Sequence, residues 1–163
     1  MSIIDELITN RTQADVDRQL YLDSLWDSLS NRFLGSAQDR AEWLSGTKGT
    51  YRASDLNRVG EAIHYIAERL RTAGYDVSVF SVTDFTNADW VNPAYANMLL
   101  SEIRQLRGKF AQTAQTPQVP ASMENMTVQT ANDIEKNLAA IDRLLTNMTA
   151  ARYFGGEVYS GEV

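Results

Sequence analysis

The one histidine of the chain, His64, stands three residues after Glu61 and four before Glu68. On a helix that spacing lines a base up with two carboxylates, and a His–Glu pair can move a proton. No nucleophile or cluster of metal ligands accompanies it, so an edge histidine on an amphipathic helix is the simpler reading. Paired carboxylates occur at Asp84/Asp89, Asp39/Glu42 and Asp133/Glu135. A glycosidase would set two such groups across a cleft, one with a raised pKa. Near a helix start the same residues complement the helix dipole, and capping outweighs catalysis for all three pairs. The loop Gly46-Thr47-Lys48-Gly49-Thr50-Tyr51 puts two glycines around a lysine, but a phosphate cradle needs Gly, four residues, then Gly-Lys-Ser/Thr. Neither a Gly-x-Ser-x-Gly elbow nor a dinucleotide fingerprint is present. With no cysteine in the sequence, thiolate metal sites, disulfides and cysteine nucleophiles are excluded. The expectation is a protein with no catalytic, cofactor-binding or metal-binding residues, one that is not an enzyme and carries no cofactor.

The elements that would position any site follow from periodicity. Apolar residues recur at spacings of three and four in four stretches: Leu22, Trp26, Leu29, Phe33; Leu56, Val59, Ile63, Ile66, Leu70; Ala96, Leu99, Ile103, Leu106, Phe110; and Ile134, Leu138, Ile141, Leu145, Met148. Each set falls on one side of a helix and must be buried there. An all-α fold is predicted: a bundle of four long helices with one short extra helix. Thr12 with Asp15 opens a first helix, expected to run to about Leu34 and stop at Gly35. Ser36 with Asp39 opens the short helix through Trp43 and Leu44, ended by Gly46. Ser54 or Asp55 caps the next, which runs to about Ala73 before Gly74. Asn92-Pro93 starts a helix to about Ala111, and Thr127 starts the last, ending near Arg152. Between them, Tyr75 to Val82 alternates with β-branched residues and reads as an extended segment near 76–82. It requires a partner in this chain or in another copy. Thr86 with Asp89 can open a single turn ending at Trp90. Gln112 to Met126, with Thr116-Pro117 and Val119-Pro120, reads as an extended crossover. Residues 152–163 read as a non-helical tail.

The 163 residues, 44% of them hydrophobic and 22% charged, suit a single helical domain over 1–163. A net charge of −6 argues against nonspecific nucleic-acid binding, which neutralises phosphates with Lys and Arg. The densest basic stretch, Arg104, Arg107 and Lys109, reads as the polar side of a helix. The acidic N-terminus is not a secretory signal, and no window reaches the ~20 apolar residues that span a bilayer. Neither membrane nor nucleic acid is expected as a partner. Trp26, Trp43 and Trp90 raise a glycan-stacking surface as an alternative, although aromatic residues also dominate ordinary cores and interfaces.

Several stretches act together as a signature. They are Arg11-Thr12 with Ala14-Asp15-Val16; Ala41-Glu42-Trp43-Leu44 with Lys48-Gly49; and Ala53 through Val59 leading to Tyr65, Arg69-Leu70 and Gly74-Tyr75. Thr116-Pro117, Pro120-Ala121-Ser122-Met123, Ala131 through Lys136, Ile141-Asp142, Tyr153-Phe154, Gly156-Glu157 and Tyr159 through Glu162 complete it. The set resembles a group of small proteins and domains encoded by phages and prophages of Firmicutes and labelled virion or tail structural proteins. The resemblance covers most of the chain and implies a role without an active site: a non-enzymatic component of a phage tail or baseplate. It further implies synthesis in the bacterial cytoplasm, location in the virion, and other virion proteins and copies of itself as partners. A cell-wall or glycan-binding accessory module, and an assembly chaperone or regulator absent from the particle, are the alternatives. The candidate interface residues are Val77 and Val79 of the extended segment and Tyr153, Phe154, Val158 and Tyr159 of the tail, which could add a strand to a neighbour in a symmetric oligomer.

Overall fold

The computed structural model describes residues 2–86, 89, 92–110 and 116–157, the last six as helix path alone. In chain order the elements are a 3-10 turn Ile3–Glu6, α1 Gln13–Ser24, β1 Trp26–Asp27, β2 Arg32–Phe33, α2 Ala37–Ser45, α3 Ala53–Thr72, α4 Pro93–Arg107 and α5 Val128–Glu157. The chain is mostly helical, as its periodicity predicts.

Helix starts follow side-chain chemistry. Thr12 and Asp15 exchange hydrogen bonds with one another's backbone at the head of α1, and Ser36 and Asp39 repeat the arrangement at α2. The Asn92 side chain accepts from the Tyr95 amide, with Pro93 in the first turn of α4. At α3 the helix begins before the expected caps. Asp55 lies inside its first turn and accepts from the Arg52 N–H at 2.8 Å. Gly46 and Gly74, with φ of +79° and +90°, end α2 and α3.

The core is built by α3, α4 and α5. Ile63, Ile66, Leu70, Leu99, Ile103, Leu106, Ile134, Leu138 and Leu145 are fully buried, so three of the four predicted stripes face one another. Cross-helix contacts fix the directions. Arg58 meets Glu135, and eleven residues on, Arg69 meets Asp142 and Thr146, so α3 and α5 run parallel. The Tyr95 hydroxyl, near the start of α4, bonds Val82, and Phe85 is held by Asn57, near the start of α3. At the other end Phe110 packs on Tyr75. All three core helices therefore point the same way, and each connection must travel back along the bundle. An up-and-down four-helix bundle with short loops is not formed.

The first return is the extended segment. From Tyr75 to Thr86 the odd-numbered residues face inward and the even-numbered ones are exposed, the period of two expected of a strand. Among the described residues no strand pairs with it. Its backbone is met by side chains: Glu102 accepts from the Phe80 N–H at 2.5 Å and from the Ser81 hydroxyl, His64 Nε2 donates to the Ser81 carbonyl at 2.7 Å, and Arg71 donates to the Val77 carbonyl at 3.0 Å. Asn57 brackets Phe85, accepting from its N–H at 2.8 Å and donating to its carbonyl at 2.9 Å. The expected partner strand is thus replaced by polar side chains of α3 and α4, which satisfy the backbone groups that burial would otherwise penalise. The second return passes through Thr116 to Thr127, where Arg104 donates to the Pro120 carbonyl and Arg107 to Gln118 and the Thr116 carbonyl.

Two expectations are corrected. The first helix stops at Ser24, not near Leu34, because the chain turns into a short hairpin pairing Trp26 with Phe33 and Asp27 with Arg32. Asp27 sets that turn by accepting from the Leu29 N–H and the Ser30 hydroxyl, an Asx turn that competes with the helix. Of the first stripe only Leu22 is fully buried; Leu29 is 97% exposed. At the other end, α5 runs through Arg152, Tyr153 and Phe154 to Glu157, so the tail is not non-helical from 152. The run Asn147-Met148-Thr149-Ala150-Ala151-Arg152 contains no breaker to stop it.

Gly60 marks where the returning segment lies on α3: a Cβ there would sit 2.4 Å from the Val82 carbonyl oxygen. Gly60→Ala improves helix propensity, yet this clash is with backbone. The substitution is expected to lower stability by about 1–3 kcal/mol in urea denaturation; a gain would contradict the close packing.

Candidate functional site

Four charged side chains meet out of solvent where the N-terminal segment crosses α3 and α5. The Arg11 guanidinium donates to Asp55 at 2.8 Å, to Glu135 at 2.7 Å, to the Ile8 carbonyl at 2.6 Å and to the Lys48 carbonyl at 3.1 Å. Arg58 donates to the same two carboxylates, at 2.5 Å and 2.9 Å. Glu135 also accepts from the Ile8 N–H at 2.6 Å. The side chains of Arg11, Asp55 and Glu135 are 3%, 7% and 0% exposed, so two cations and two anions are desolvated as a neutral set. Charges buried this deeply persist only when paired and fully hydrogen-bonded. Asn132 clips the Arg11 backbone from both sides, accepting from its N–H at 2.8 Å and donating to its carbonyl at 2.9 Å. The Tyr51 ring lies 5.4 Å from the Arg11 guanidinium carbon. Burial, with Glu135 and Asp55 nearby, pushes the Tyr51 hydroxyl pKa up and keeps it neutral.

This cluster fastens residues 12–47 to the core. The chain enters that arm at Arg11 and leaves it at Lys48, and the Arg11 guanidinium bonds the Ile8 carbonyl before the entry and the Lys48 carbonyl at the exit. Thr47 donates to Gln19 at 2.5 Å. Gly49 seals the junction, since a Cβ there would sit 2.1 Å from the Asp15 carbonyl oxygen. Within the arm, Arg18 of α1 reaches Asp39 and Glu42 of α2, both at 2.7 Å. Trp26 stacks on Trp43 with centroids 5.2 Å apart, Phe33 tilts onto Trp43, and the Trp43 indole N–H donates to Asp23. Among its exposed polar residues the arm also presents large apolar side chains. Of nine exposed large hydrophobic residues among those described, six (Leu20, Tyr21, Trp26, Leu29, Leu34 and Leu44) belong to it. That concentration singles out an interaction surface.

The residues considered for chemistry are scattered. His64 is spent on Ser81, while Glu68 pairs with Arg71, so no His–Glu pair forms. Asp39 and Glu42 share Arg18. Asp89 accepts from Thr86, as a turn-opening pair should, and Trp90 lies outside the described residues. Asp133 and Glu135 part company: Asp133 accepts from Gln129, whereas Glu135 enters the buried cluster two turns into α5 rather than at its start. Lys48 contributes its carbonyl, and its loop is a connection. Of the candidate interface residues, Val77 is buried and Val79 packs against the core, because the strand-like alternation turns them inward; Phe80 and Val82 face out. Tyr153 and Phe154 lie on α5, their side chains beyond description, and Val158 and Tyr159 lie outside the described residues. The Arg11–Asp55–Arg58–Glu135 set was missed by sequence reasoning. The available signal was an arginine before a capping box together with a glutamate set among the buried positions of α5.

At the N-terminal ends of the three core helices is a cavity of about 470 Å³ lined by Leu56, Pro93, Ala96, Met123 and Met126, with Tyr51, Asn97, Ser122 and Glu124. No group of three or more potential metal ligands occurs among the described residues, and no described helix is long and apolar enough to cross a membrane. Comparison with protein-family models, curated proteins and solved structures finds no match.

Glu135→Ala leaves Asp55 alone to pair both guanidinium groups and removes the acceptor of the Ile8 N–H. It is expected to cost about 3–5 kcal/mol in chemical denaturation, against a much smaller loss for the exposed Glu42→Ala. The arm should also be acid-sensitive. Asp39 is held below its usual pKa by Ser36 and Arg18, and Glu42 by Arg18. Carboxylates with depressed folded-state pKa values stabilise fully above the unfolded value, near about 4, and lose that contribution as pH falls through the folded one. In a Trp90→Phe background, the fluorescence of Trp26 and Trp43 should change below about pH 4 before the far-ultraviolet helix signal does. A simultaneous change of both signals would contradict an independently anchored arm.

Proposed function

We propose that this protein is a non-enzymatic structural component of a phage tail or baseplate, made in the bacterial cytoplasm and built into the virion, where it binds other virion proteins and copies of itself. The observation that carries the reading is the arm: a helix–hairpin–helix layer whose exposed apolar side chains have no cover among the described residues, held on a three-helix core. Soluble domains seldom present a large apolar patch without a partner for it, and a preorganised surface binds at lower entropic cost. The charged residues support a structural role as well, since the buried four are spent on one another. The resemblance to phage virion proteins points the same way.

A second reading, a cell-wall glycan-binding module, is favoured by one feature: Trp26 is 38% exposed and backed by Trp43, as a sugar-stacking platform would be. Retention on purified cell walls, lost in Trp26→Ala, would support it.

Mass spectrometry of purified particles from the induced source strain is expected to find the chain at stoichiometric abundance. Presence in the lysate alone would overturn the virion reading and favour an assembly chaperone or regulator. Deleting 153–163 is expected to leave the core folded by circular dichroism and to reduce incorporation; undiminished incorporation would remove the C-terminus from the interface.

A further inference from the structure

Leu29 is 97% exposed at the tip of a hairpin that is braced rather than loose. Asp27 accepts from the Leu29 N–H at 3.0 Å and from the Ser30 hydroxyl at 2.5 Å, and Asn31 takes a left-handed φ of 52° to close the turn. A large apolar side chain fixed in this way is preorganised to enter a pocket. Arg32 follows at the start of β2, exposed and without an ion-pair partner among the described residues. The same chain carries a matching recess. The cavity of about 470 Å³ at the N-terminal ends of α3, α4 and α5 is lined by Leu56, Pro93, Ala96, Met123 and Met126. Its methionines adapt to an inserted aliphatic group. Glu124 stands at its edge, exposed and likewise without an ion-pair partner among the described residues.

We propose that the hairpin tip of one copy, with Leu29 as its apolar knob, docks in the Met123/Met126 cavity of a second copy, Arg32 of the first facing Glu124 of the second. Charge complementarity favours this occupant: among the described residues Arg32 flanks the knob and Glu124 lines the hole, both exposed and outside any ion pair. Knob and hole are different surfaces, so the contact is head-to-tail and closes into a ring or extends as a filament. The inference rests on the assembly reading above and names the contact by which copies would join. Rim charges of this kind set register and rate, and are weakened by salt.

The test is sedimentation of the intact chain over a range of concentrations, comparing wild type, Leu29→Asp, Arg32→Glu and Glu124→Arg. All three positions are exposed, and circular dichroism checks that each variant folds as wild type does. Wild type is expected to associate. Leu29→Asp should weaken association at least about tenfold, since it places a charge in an apolar recess. Arg32→Glu and Glu124→Arg should each be monomeric alone, because every contact then opposes like charges. Their equimolar mixture should associate again, because reversed knob meets reversed hole and unchanged knob meets unchanged hole. A monomeric wild type at every concentration would overturn the proposal, as would association unaffected by Leu29→Asp or a mixture that stays monomeric. Particle incorporation is read separately, so an assembling wild type that ignores these substitutions would remove the knob-and-hole contact and leave the virion role standing.

Discussion

A buried guanidinium must find hydrogen-bond acceptors and opposite charge in every direction or it cannot stay buried. Arg11 meets that demand by drawing together four separate parts of the chain: its own N-terminal segment at Ile8, the exit of the arm at Lys48, α3 at Asp55, and α5 at Glu135, while Asn132 of α5 holds its backbone. Apolar burial gives the three core helices their cohesion and seats Ile3, Ile4 and Leu7 against them, but it does not say where the arm of residues 12–47 attaches. That placement is polar, and it is specific because few arrangements satisfy all four charges at once. Arg58 completes the set from α3, so the two carboxylates are paired both by the core itself and by the segment laid across it.

A division of labour follows. The core is a parallel three-helix unit whose connections run back along its length, and one of them, the 75–86 segment, is held by side chains rather than by a strand. The arm is small, exposes much of its apolar surface, and takes its order from aromatic stacking, a hairpin and the Arg11 junction. A layer that cannot bury its own apolar face is poorly stable alone and suits binding in place. The exposed apolar side chains of the arm, mounted at a fixed junction, are the feature on which the proposed contact role rests.

Much of this was legible in the sequence. Three of the four stripes are core helices, and the caps at Thr12, Ser36, Asn92 and Thr127 stand where their chemistry requires. The extended segment shows its alternation, although its partners, Glu102, His64 and Asn57, lie on distant helices and no local pattern points to them. The fourth stripe misled because Leu22, Trp26, Leu29 and Phe33 fit helical spacing while Asp27, Ser30 and Asn31 favour a turn, and local hydrogen bonding overrode periodicity. The parallel order of the core helices was hidden because amphipathic stripes fit several topologies equally well. The buried cluster was hidden for a related reason: Arg11 precedes a capping box and Glu135 sits among buried positions of α5, but their pairing spans 124 residues and no local pattern joins them.

Whether the Arg11 guanidinium fastens the arm to the core is read by hydrogen–deuterium exchange on the intact chain carrying Arg11→Lys. Lysine keeps the charge but presents its donors from a single point and cannot span the same set of acceptors. Arg58 remains to hold Asp55 and Glu135. Amides of α1 and α2 are expected to exchange at least about tenfold faster, while the interiors of α3, α4 and α5 keep their protection. Unchanged protection of α1 and α2, or an equal loss throughout the chain, would contradict that fastening.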